Sequence, residues 1–134
     1  MSAAAEDFGS EGWLAAVRAA AEVLPAVPGC SVRASVDVAG GPAGPCRLAV
    51  VVADGRLAEL SRGRLAEADC SVTVGAADAA AILSGDLDPA AAYMQGRLKI
   101  DGAYERALFG LRPMAATAAF ATFAAEVRAR TAGD

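Results

Sequence analysis

Few residues in this chain have types and spacings suited to chemistry. Histidine is absent from its 134 residues, which removes Ser-His-Asp and Cys-His nucleophilic sites and the commonest metal ligand. The three cysteines, Cys30, Cys46 and Cys70, are odd in number and far apart. With no CxxC pair they suggest neither a zinc site nor a disulfide framework, and they read as small apolar side chains in or near a core. The carboxylates Asp86 and Asp88 stand two apart. Asp88-Pro89 is better explained as a helix cap followed by proline at the first helical position, and Asp86 as a solvated turn residue. Tyr93, Tyr104 and Glu105 remain as acid–base candidates, none with a visible partner. The expectation is a protein that is not an enzyme and needs no metal and no cofactor.

The composition points the same way. Hydrophobic residues make up 55% of the chain and aromatics only 5%, so this is a folding sequence whose many alanines build helix but fill little volume. That mixture is compatible with an internal space without requiring one. Twelve Lys and Arg against sixteen Asp and Glu give a net charge of -4. The cations are dispersed, with Lys99 the only lysine, so no nucleic-acid or anionic-membrane footprint is expected. The first residues are acidic rather than apolar and do not read as a signal peptide, and no apolar run has membrane-spanning length. The expected compartment is a reducing cytoplasm, with no stable membrane insertion.

The elements that must position the candidate residues follow from periodicity. A helix is predicted from about Glu11 to Leu24 with Ser10 as its cap. Trp13, Val17, Ala20, Ala21 and Leu24 share one face, and Pro25 and Pro28 end it. The period then changes to two. Val32, Ala34, Val36 and Val38 alternate with Arg33, Ser35 and Asp37, as in a half-buried strand. After a Gly- and Pro-rich loop, Cys46 to Ala53 reads as an interior strand. Asp54-Gly55 is a hairpin signal, Arg56 to Arg62 an edge strand, and Cys70 to Val74 a further strand. Short helices are predicted from Asp78 to Leu83, closed by Gly85, and from Pro89 toward Gly96. Arg97 to Asp101 is the last strand, with Leu98 and Ile100 on one face. Helical patterning resumes with Tyr104, Ala107, Leu108 and Leu111, is interrupted by Pro113, and ends with Phe120, Phe123, Ala124 and Val127 on one face. The fold class is α+β: a five-stranded mixed or antiparallel sheet covered on one side by helices. One domain is expected over residues 10–130, with flexible tails over 1–9 and 131–134.

Several of these features occur together in a known order. They are Asp54-Gly55, Gly63, Ala68-Asp69-Cys70-Ser71-Val72-Thr73-Val74, Leu83-Ser84-Gly85 and Leu87-Asp88-Pro89, then Tyr93-Met94-Gln95-Gly96-Arg97-Leu98-Lys99-Ile100-Asp101-Gly102. In this the segment from Arg56 to Leu111 resembles the SCP-2 sterol-carrier family, and the chain is similar to a stand-alone bacterial member. The last decapeptide, with Gly85 and Asp88-Pro89 ahead of it, is the specific part. The resemblance implies an elongated apolar cavity between sheet and helices that takes a lipid, a fatty acyl compound or a sterol-like ligand without a cofactor. It also places Gln95 near the cavity and makes Pro113 to Arg130 a closing segment. The helix Asp78 to Leu83 departs from the family in its small side chains, and the tail beyond Leu111 has no match. The final residues, Thr131 to Asp134, carry no peroxisomal address.

On this reading the ligand-contacting residues are Tyr93, Met94, Gln95, Leu98, Ile100, Leu108, Phe109, Phe120 and Phe123. Each has a plainer alternative. Gln95 could cap its helix, Tyr93 and Met94 could be ordinary core, and the three phenylalanines could form core or a homodimer face. Two rival functions therefore stay open: an accessory or dimerisation module with a closed cavity, and a small enzyme acting on an apolar metabolite.

Overall fold

The computed structural model describes residues 5–42 and 44–132. Helix α1 (Glu11–Ala20) starts where Ser10 accepts a hydrogen bond from the Trp13 amide, at 3.1 Å. It tightens into a 3₁₀ turn at Ala21–Val23 instead of running on to Leu24. Leu24 is extended (ψ 129°), as a residue before proline must be.

Five strands follow: β1 (Val32–Ala39), β2 (Cys46–Ala53), β3 (Arg56–Arg62), β4 (Cys70–Gly75) and β5 (Leu98–Gly102). They form one sheet in the order β3-β2-β1-β4-β5. The β1–β2, β2–β3 and β4–β5 pairs are antiparallel, and β1 and β4 are parallel, so the sheet is mixed. Strand β2, apolar on both faces, is interior, and the charged β3 is an edge. The β2–β3 hairpin turns on Asp54 (φ 48°) and Gly55 (φ 85°), both left-handed as a type I′ turn requires. Arg97 lies just outside β5 and pairs with Asp78 at 2.7 Å.

Helices cover one face of this sheet. Helix α2 (Ala76–Leu83) leads through Gly85 to α3 (Pro89–Met94), whose cap Asp88 accepts from the Ala91 amide at 3.0 Å. After β5 come α4 (Tyr104–Leu108), α5 (Arg112–Ala115) and α6 (Ala118–Arg130), the last capped by Thr117. Pro113, expected to interrupt the helical run, sits instead in the first turn of α5, where its missing N–H has no hydrogen bond to lose. The breaks fall at Phe109–Leu111 and at Ala116–Thr117.

The core joins Trp13, Leu14 and Val17 of α1 to Val38, Leu48 and Leu60 of the sheet and to Phe123 and Val127 of α6. The segment expected as a loose tail up to Gly9 is packed from Glu6 onward. Glu6 exchanges backbone hydrogen bonds with Arg130 and Ala132, and Phe8 is buried against Trp13 with ring centroids 4.3 Å apart. The Trp13 indole N–H donates to the Thr131 hydroxyl at 2.8 Å, a tertiary pairing that no local periodicity announces. The remaining tail residues, 1–4 and 133–134, lie outside the described residues.

Candidate functional site

Period-two alternation sends Val36, Val38, Leu48, Val50, Val72 and Val74 toward the helices, while Arg33, Arg47, Thr73 and Lys99 face the other way. Between that apolar sheet face and the helices lies a cavity of about 510 Å³, within the size range of small-molecule sites. Trp13, Val17 and Leu24 close one side, Ile82, Leu83 and Leu87 another, and Leu108, Leu111 and Met114 a third. Among the described lining residues only Asp88 and Arg112 carry charge. Only four are exposed: Gly85, Asp88, Arg112 and Ala115. They come from two segments, the α2–α3 loop and α5, which form the lips of the cavity.

The sequence-predicted site residues divide into two groups. Leu98 and Ile100 of β5, Leu108 of α4, and Phe120 and Phe123 of α6 line the cavity. Tyr93, Met94, Gln95 and Phe109 do not. Helix α3 has six residues and turns its buried Ala92 inward; about 100° further on Tyr93 is half-buried against the core, and Met94 and Gln95 are exposed. Tyr93 stacks on Tyr104 at 5.9 Å, Met94 is 85% exposed, and the Gln95 carbonyl oxygen accepts from Arg97 at 3.1 Å. Phe109 lies on the surface beneath the Arg112 guanidinium, 4.7 Å from its ring centroid. Gln95 is not among the described lining residues.

Sequence reasoning missed the contributions of α1, β1 and β2, although their apolar periodicity was visible. It also missed Asp88 and Arg112 as lip residues. A cap aspartate and a surface arginine have no sequence signal for that position.

The cavity lining offers few polar side chains. Tyr93, Tyr104 and Glu105, the acid–base candidates, are not among its lining residues. No buried side-chain nitrogen or oxygen among the described residues lacks a partner, so no polar group is held poised and unsatisfied. Cys30, Cys46 and Cys70 are free thiols, all buried. Burial pushes the Cys46 and Cys70 thiols above the ordinary range, with Arg62 opposing the shift at Cys46 and Asp69 adding to it at Cys70. Outside the cavity, hydrogen bonding to Asp78 and then its charge hold Arg97 more firmly protonated.

A mixed sheet with helices on one face and an apolar pocket between the layers is the architecture of this domain. The chain belongs to the SCP-2 sterol transfer family, whose sequence signature matches residues 16–108. A Thermus thermophilus protein described as possibly a sterol carrier protein superposes with a TM-score of 0.60 at 17% identity, over 98% of this chain and 94% of that one. The palmitated SCP2L2 of Aedes aegypti gives 0.58 at 19% identity, over 78% and 92%. A stereoselective inverting sec-alkylsulfatase of Pseudomonas sp. gives 0.51 at 17% identity, over 69% of this chain but only 14% of its own. No curated protein matches the sequence. Family and fold together support a lipid- or sterol-binding carrier domain.

Proposed function

We propose that the protein binds and transfers a lipid or sterol-like apolar ligand held in the cavity between sheet and helices, without catalysing a reaction. The observation that carries this reading is the lining: of the described residues around a cavity of about 510 Å³, all but two are uncharged and nearly all are hydrocarbon. Such a wall favours a ligand by about 25 cal/mol for each square ångström of apolar surface it removes from water. Three buried free thiols favour a reducing compartment such as the cytoplasm.

The test is native mass spectrometry of gently purified protein, joined to displacement of a fluorescent hydrocarbon by palmitate and by a sterol. The expected result is co-purified lipid, with displacement at micromolar ligand. No bound lipid and no displacement at tens of micromolar would overturn the reading. A second reading, an accessory module, is favoured by the similarity to a small part of a much longer alkylsulfatase. A stable dimer that buries α6 and binds no lipid would support it.

A further inference from the structure

We infer that Arg112 is a specificity-determining residue that receives the anionic head of an otherwise apolar ligand at the cavity mouth, with Asp88, the other charged lining residue, opposing it. This rests on the carrier reading proposed above and adds to it the orientation of the ligand, tail inward and head at the lips.

Four observations carry it. The exposed lining residues cluster in two short segments, Gly85 to Asp88 and Arg112 to Ala115, so a polar head held at either one meets water. Among the described residues, Arg112 and Asp88 are the only charged ones in the lining. Asp88 is already engaged, since its carboxylate caps α3 through the Ala91 amide. Arg112 is the freer of the two: among the described residues it has no carboxylate partner, and its guanidinium rests on the exposed Phe109 ring. Most other arginines are committed, Arg97 to Asp78, Arg106 to Asp69 and Arg128 to Asp86. An exposed cation–π contact is weaker than a charge-assisted, forked hydrogen bond to a carboxylate or phosphate. An anionic head can therefore draw the guanidinium from the ring, whereas a neutral alcohol of the same tail length cannot.

The experiment measures displacement of diphenylhexatriene, a neutral reporter, by dodecanoate and by dodecan-1-ol at about pH 8, where the carboxylic acid is ionised. The readout is the ratio of acid to alcohol affinity. In Arg112→Gln the ratio is expected to fall about tenfold, the usual worth of a hydrogen bond to a charged group. In Asp88→Asn, where asparagine caps the helix equally well, the ratio is expected to rise about twofold as a nearby like charge is removed. A ratio unchanged in Arg112→Gln, or an equal loss for acid and alcohol, overturns the assignment while leaving the carrier reading intact. If neither compound displaces the reporter from the unaltered protein, the carrier reading itself fails.

Discussion

The two walls of the cavity are built in opposite ways. On one side stands the sheet, five strands in unbroken hydrogen-bonded register apart from a shift at Val51/Val52. On the other stand α4 and α5, helices of five and four residues with no side-chain cap. Residues from both walls line the same space. The sheet wall is tied by contacts distant in sequence, so its shape is fixed by the whole fold. The α4–α5 wall is held mainly by short-range hydrogen bonds, with the Arg106–Asp69 ion pair and a few apolar anchors such as Leu108 and Met114 tying it to the rest. A domain built this way pairs a wall tied across the sequence with one tied mainly by its neighbours.

Several measurements would sharpen that contrast or break it. The widest difference is expected in native-state hydrogen exchange. Amides of β1 and β2 should exchange at least about a hundredfold more slowly than those of 104–116, because short uncapped helices open locally. Equal protection would remove the contrast. Next in size, Leu48→Ala in the sheet wall should cost about 3 kcal/mol in urea denaturation, against about 1 kcal/mol or less for the half-buried Leu111→Ala. Comparable losses would mean both walls carry the fold.

Gly102→Ala, where β5 ends, should cost about 2 kcal/mol. Its φ is 103°, and an added Cβ would stand 2.6 Å from the Asp69 carbonyl oxygen and 3.0 Å from the Cys70 Cα. A neutral outcome there would show that this edge gives way as easily as α4. Alkaline pH should bring a smaller loss. The Cys46 and Cys70 thiols, both on sheet strands, are raised in the folded state, so their contribution is complete below the ordinary thiol range and fades as pH rises through the raised values. The urea midpoint should therefore decline above about pH 9, and less so in a Cys46→Ala, Cys70→Ala double variant. Gln95→Ala should do least, within about 0.5 kcal/mol of the parent stability and with palmitate displacement unchanged. A large loss of palmitate affinity would restore the sequence-based view of Gln95.

Much of the sheet wall was legible in the sequence, because half-burial writes itself as alternation and Asp54-Gly55 has few conformations open to it. The caps Ser10 and Asp88 were legible for the same local reason. The azimuth of α3 was not. All six residues of α3 are apolar, so no polar position marks its outer face. Met94 and Gln95 looked inward on paper but are exposed in space, while Tyr93 packs on the core beside the cavity lining. Phe109 misled because size alone suggested burial. The packing of Phe8 on Trp13 was invisible, since it depends on Thr131 and Val127 arriving from the far end of the chain. Nor could a residue beside a cavity be told from one in a packed core, because both demand the same hydrocarbon.

The bridge between Glu6 and Thr131 has a topological consequence. With Glu6 hydrogen-bonded to both Arg130 and Ala132, the described chain is close to a ring, and the order of its helices and strands is cyclic rather than linear. A circular permutant that joins those two segments and opens in the glycine-rich loop after Ala39 would keep every strand and helix whole. It would also keep each cavity wall with its own neighbours.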